Sequence, residues 1–315
     1  MNSAPMPFPN PQPVTYPRWP VDFRNRRPDP VKPLTKTKPR KNRFDTLCIA
    51  AIARQKKPEQ RPIVLCCDRQ VQTEAAEGQI EVKIAPVKPP TWYALFAGDT
   101  SSAREVLARY ENCLENVQID KRNVQKVLQE TAWSHRRNLI EHLIQTRFGV
   151  SYDEFRANGK RDLSSEEFRA ARKDIAKIDF GCWNVFAGHI DNWPYLFWSD
   201  YSGKINREHH FVTLGTGAQN AQAMLLYRNQ SRFDGLERTI YQVYEAKKFG
   251  EHAPGVGYVT LMFVLYPNRL MSIGSTSMGV FFPELEEQFG LRHIDSNDEV
   301  KMNIQKLLHP VGDFL

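Results

Sequence analysis

From residue 46 onward the apolar segments alternate between runs of strands and pairs of helices, and that order narrows the fold more than any other feature of the chain. Leu47-Cys-Ile-Ala-Ala-Ile-Ala53 and Ile63-Val-Leu-Cys-Cys67 are short continuous apolar runs separated by a polar stretch, which predicts two buried strands joined as a hairpin. Ile80-Glu-Val-Lys-Ile84 alternates with a period of two, placing Glu81 and Lys83 on one face of a third strand. A fourth, Trp92-Tyr-Ala-Leu-Phe-Ala97, follows a Pro89-Pro90 break. A helix then opens near Gly98, capped by Thr100 or Ser101, with Ala103, Val106, Leu107, Tyr110 and Leu114 spaced three and four apart. A second helix is predicted over 124–144. Strands return over 182–188, 195–199 and 211–215, helices over 218–227 and 236–249, and a strand over 257–265. The aromatic run Trp193-Pro-Tyr-Leu-Phe-Trp198 reads as core before it reads as a recognition surface. Strand runs alternating with helix runs predict an α+β layered fold rather than a parallel βαβ sheet, and no glycine-rich phosphate loop follows any strand. A nucleotide-binding fold is argued against on both counts.

The segment before residue 46 has a different texture. Residues 1–45 hold 11 of the 21 prolines and no glycine, which rules out a helix or a central strand there and predicts an extended, disordered arm. The arm carries ten Lys/Arg against three Asp, which accounts for the whole formal charge of +7, while residues 46–315 carry equal numbers of each sign. Nucleic-acid binding is therefore not expected of the folded part, and would need the arm to persist. Residues 149–178 are highly charged and read as a helical insertion outside the main sheets, capped at Ser164 or Ser165. The domain reading is an arm over 1–45, a main domain over 46–290 and a C-terminal extension over 291–315, with helical patterns at 285–289 and 300–308.

No apolar run approaches the ~20 residues of a membrane span. The arm has neither the apolar stretch of a secretory signal nor the amphipathic helix of a transit peptide, so the sequence points to the cytoplasm. Cys48, Cys66, Cys67, Cys113 and Cys182 form no regular spacing and read as reduced, buried thiols. His135 with His142, His189 with Asp191, and His209-His210 each lack a third ligand at suitable spacing, so no metal and no other cofactor is expected.

Five segments, in order, resemble the proteasome-type N-terminal-nucleophile hydrolases, the superfamily of proteasome β subunits and their bacterial relatives. They are Thr46-Leu-Cys-Ile-Ala, Val64-Leu-Cys-Cys-Asp68-Arg69, Val82-Lys83-Ile84, Phe96-Ala-Gly98-Asp-Thr-Ser-Ser-Ala103 and Leu214-Gly215-Thr216-Gly217, and together they span about residues 46–265. The resemblance implies a four-layer αββα sandwich. It also implies a threonine peptidase or amidohydrolase made with a propeptide, acting on peptide or protein substrates and assembled as a homo-oligomer.

On that resemblance Thr46 is the nucleophile, Asp68 and Lys83 its polar partners, Gly98 the oxyanion donor, and Thr216 and His252 accessory residues. A threonine at a free N-terminus supplies both nucleophile and base, because its α-amine, with a pKa of roughly 8, can take the hydroxyl proton. A neighbouring lysine keeps that amine unprotonated, and a carboxylate fixes the lysine. A lysine between Val82 and Ile84 must face solvent or be paired, and pairing with Asp68 is expected. The sequence departs from the family at Phe44-Asp45, where a glycine usually precedes the threonine. It departs again in Glu251-His252-Ala-Pro-Gly255, where His252 and Gly255 stand at the positions of the usual aspartate and serine. A second class of function, a non-catalytic structural or binding protein that keeps its basic arm, fits the same residues.

Overall fold

A computed structural model describes residues 46–55, 61–68, 71–72, 77–78, 82–274, 282 and 308–310. The first two apolar runs form β1 (Leu47–Ile52) and β2 (Ile63–Asp68), antiparallel neighbours in which every residue is buried. After the short ribbon of β3 (Val71–Gln72) and β4 (Glu77–Gly78) come β5 (Ile84–Lys88) and β6 (Trp92–Gly98). The helices α1 (Thr100–Asn116), α2 (Val124–Phe148), α3 (Tyr152–Asp162) and α4 (Ser165–Lys177) follow. Then β7 (Cys182–Ile190), β8 (Trp193–Ser199), β9 (Ile205–Glu208) and β10 (Phe211–Gly215) lead to α5 (Ala218–Tyr227) and α6 (Leu236–Gly250). The described chain closes with β11 (Thr260–Tyr266), β12 (Arg269–Ile273) and β13 (Leu308–Pro310).

Two large antiparallel sheets organise these strands, one in the order β10-β1-β2-β11-β12-β13 and the other β5-β6-β7-β8-β9. The two-residue period of a strand explains how they stack. Leu47, Ile49, Ala51, Val64 and Cys66 face α5 and α6, where they meet Leu225, Ile240 and Val243. Cys48, Ala50, Ile52, Ile63 and Leu65 face the second sheet and meet Tyr93, Leu95, Val185 and Leu196. That sheet turns Trp92, Phe96, Phe186 and Phe197 to α1 and α2. The layers therefore run helix, sheet, sheet, helix, an α+β arrangement. Strands buried on both faces lose the alternating pattern, which is why β1 and β2 read as continuous apolar runs. Each fully buried Leu, Ile or Val there contributes about 1.5–3 kcal/mol.

Three details differ from the sequence reading. The cap of α1 is Asp99 rather than Thr100 or Ser101, because its carboxylate accepts from Ser102 N at 2.7 Å while also accepting from the Ser101 hydroxyl at 2.6 Å. The strand carrying Lys83 begins at Ile84, so Lys83 is the residue that enters it, and Ile80 and Glu81 lie outside the described residues. Leu308, placed at the end of a helix, opens β13 against β12. The arm over 1–45 and the helical patterns at 285–289 and 300–307 lie outside the described residues.

The charged region over 149–178 is α3 and α4, each opened by a capping box, Ser151 with Glu154 and Ser164 with Glu167. Their apolar faces share a separate small cluster with the far end of α2, in which Ile140, Ile144, Phe155 and Ala171 are buried.

Candidate active site

The β1–β2 register pairs Cys48 with Cys67, and its continuation sets Asp68 opposite Leu47, one residue from Thr46. Lys83 comes from the other sheet, held at the entry to β5 by a hydrogen bond from Phe96 N to its carbonyl at 3.3 Å. The three side chains meet between the sheets. Lys83 Nζ donates to Thr46 Oγ1, Thr46 Oγ1 donates to Asp68 Oδ1, and Lys83 Nζ lies 3.0 Å from the same carboxylate oxygen. Thr46 is 2% exposed, Asp68 0% and Lys83 5%. A charged pair this deep is unfavourable unless its remaining bonding capacity is filled. Asp68 meets that condition: Oδ1 also accepts from Leu47 N at 3.3 Å, and Oδ2 accepts from Gly257 N at 2.9 Å.

The Gly257 bond extends the cluster to a residue that the sequence reading missed. Lys247 on α6 is fully buried, donating to Gly257 O at 2.7 Å and pairing with Glu251 Oε1 at 2.7 Å. Gly257 thus links two buried lysines, its N–H reaching the Asp68 that pairs with Lys83 and its C=O accepting from Lys247. The available signal was positional: Leu236, Ile240, Val243 and Tyr244 define the buried stripe of α6, and Lys247 falls on its continuation.

The remaining candidates are Gly98, Thr216 and His252. Gly98 has φ +137° at the β6–α1 junction, where a Cβ would strike Gly181 O and the Cys182 Cα, so glycine is required there by the approach of β7. Among the described residues no hydrogen bond joins Gly98 to Thr46, Asp68 or Lys83. Gly215 has φ +99° and packs directly on the Thr46 carbonyl, which also accepts from Gly217 N at 3.4 Å. Thr216 lines a cavity of about 1010 Å³ that runs beside β10. His252 is exposed, its ring edge-on to Phe249 at 5.8 Å, and it is Gly257 of the same loop that reaches Asp68.

The cysteines around the cluster are poor competitors for the role of nucleophile. Burial, reinforced by the Asp68 carboxylate, pushes the Cys67 thiol up to about 12, and burial also raises Cys48 and Cys66. These thiols stay protonated at neutral pH. Among the described residues no three His, Cys, Asp or Glu side chains gather as a metal site, and no helix is long and apolar enough to cross a membrane. No protein-family model matches the chain, and no curated protein matches it.

Proposed function

We propose that the chain is an N-terminal-nucleophile hydrolase of the proteasome type, cleaving peptide or other amide bonds with Thr46 after residues 1–45 are removed. The observation that carries this reading is the hydroxyl of Thr46 bonded to both Lys83 and Asp68 at the end of β1. The layer order and the antiparallel pairing of both sheets support it, as does the fully bonded state of Asp68.

Hydrolysis of the Asp45–Thr46 bond by water would free the Thr46 α-amine. That amine takes the Oγ1 proton as Oγ1 bonds to the substrate carbonyl carbon. The Lys83 ammonium, already donating to Oγ1, stabilises the charge that develops there, and Asp68 holds Lys83 in place. On the resemblance, the Gly98 N–H receives the carbonyl oxygen as it becomes anionic. The proton on the α-amine passes to the leaving amine, and water then cleaves the ester and restores Thr46.

The burial of Thr46 in the uncut chain favours a second reading, in which the cluster is a structural ion pair and the basic arm stays attached for polyanion contact. The two are separated by assaying a chain that begins at Thr46, the full chain, and Thr46→Ala in the short form for amine release from fluorogenic peptide amides. Activity confined to the short chain and lost by about 10⁴-fold in Thr46→Ala is expected. Hydrolysis undiminished by Thr46→Ala would overturn the hydrolase reading.

A further inference from the structure

One edge of the first sheet is open along β10, which pairs with β1 and with no other described strand. In an antiparallel ladder alternate residues turn their N–H and C=O to the same neighbour. His210 O accepts from Ile52 N at 2.9 Å, so the residues in phase with it, Val212 and Leu214, bond toward β1. The backbone groups of Phe211 and Thr213 consequently point away from β1. The cavity of about 1010 Å³ follows this edge, with all of β10 in its wall and Trp183, Trp198, Asp200 and Glu208 around it. Among the described residues no lysine or arginine lines it.

The two carboxylates have bonding capacity to spare. Three donors, Ser202 N, Ser202 Oγ and Lys204 N, all reach a single oxygen of Asp200, Oδ1. Among the described residues Glu208 Oε1 accepts only from the Trp198 indole, at 3.3 Å, which fixes that ring in the wall. Among the described residues neither carboxylate is in an ion pair.

We infer that this cavity is a peptide-binding site: an extended segment adds as a strand to β10, and a lysine or arginine side chain of that segment reaches Asp200 and Glu208 along the indoles of Trp183 and Trp198. Backbone pairing supplies affinity in this mode, and the side-chain site supplies selection. The aromatic faces favour a cation as the carboxylates do. Because Gly215 ends this edge against Thr46, a peptide bound here arrives beside the cluster. As a substrate route the site rests on the hydrolase reading; as a binding site it does not.

The test is a calorimetric titration of the full chain with an eight-residue peptide of alternating valine and arginine. The comparison ligands are the same peptide with glutamate for arginine, and two versions of the basic peptide methylated at every second backbone nitrogen, one in each register. The basic peptide should bind at least about tenfold more tightly than the acidic one. One methylated peptide should lose binding and the other keep it, since only one register of N–H groups faces β10. Glu208→Gln, which keeps an acceptor for Trp198, should weaken the basic peptide by about threefold to tenfold, and Thr46→Ala should leave binding unchanged whether or not the protein hydrolyses amides. Equal affinity for basic and acidic peptides, equal binding of the two methylated forms, or no saturable binding would overturn the inference.

Discussion

Two sets of ion pairs in this molecule are alike in length and unlike in setting. Around α3 and α4, Arg137–Asp153 closes to 2.7 Å and Arg147–Asp174 to 2.6 Å, with side chains between 37% and 68% exposed. Between and behind the sheets, Lys83–Asp68 closes to 3.0 Å and Lys247–Glu251 to 2.7 Å, with side chains at most 8% exposed. Contact distance does not rank them; the dielectric around them does. Exposed pairs are screened and typically worth less than about 1 kcal/mol, whereas breaking a buried pair leaves a bare charge in the interior. The helical appendage carries its charge in exposed pairs and helix caps, and the sheet end buries it around the Thr46 hydroxyl.

Asp68→Ala should break that contrast most severely. It strands the Lys83 ammonium and removes the acceptor of Thr46, Leu47 and Gly257 together, so a loss of about 3–5 kcal/mol in urea unfolding is expected. A loss below about 1 kcal/mol would mean that the pair is far more hydrated than its burial shows. Lys247→Met should cost about 3 kcal/mol by leaving Glu251 buried with only the half-exposed Lys248 at 3.2 Å and Gly257 O without its donor. The double variant Lys247→Met/Glu251→Leu should recover part of it, as a coupled pair does.

His189 provides the intermediate case, a titratable side chain buried with no counter-charge among the described residues. Burial pulls its pKa down to about 4, against the partial opposition of its bond to Arg61 O at 2.8 Å. The folded value lies below the unfolded one of about 6.5, so the unfolded chain binds more protons between those two pH values. Stability is complete above pH 6.5 and falls as the pH drops toward 4, by about 3 kcal/mol from this residue. Unfolding measured across that window should show the slope in the native protein and lose it in His189→Gln. The smallest effect belongs to the appendage: Arg147→Ala should change stability by less than about 1 kcal/mol, and less still at 1 M salt.

How much of this the sequence disclosed follows from where the signal lay. β10 stands where the apolar run placed it, over Phe211–Gly215, and α5 likewise over Ala218–Tyr227, because each carries its own pattern. β9 and β12 went unread: Ile-Asn-Arg-Glu has one apolar residue, and the short Arg269–Ile273 strand takes its conformation from pairing with β11. The meeting of Thr46, Asp68 and Lys83, and with it the pairing of Lys83 with Asp68, was expected from the resemblance; the place of Lys83 between Val82 and Ile84 required only that it face solvent or be paired. Lys247 was hidden by Lys248, since two lysines in the last turn of a helix look like ordinary complements to its dipole. Gly257 contributes through its backbone, which no side-chain pattern records.

On the proposed hydrolase reading Thr46 becomes an N-terminal residue. Intact mass and N-terminal sequencing of untagged protein from its native host test it most directly. The account predicts a chain that begins at Thr46; a chain that still carries residues 1–45 would leave the hydroxyl without its amine base and contradict it.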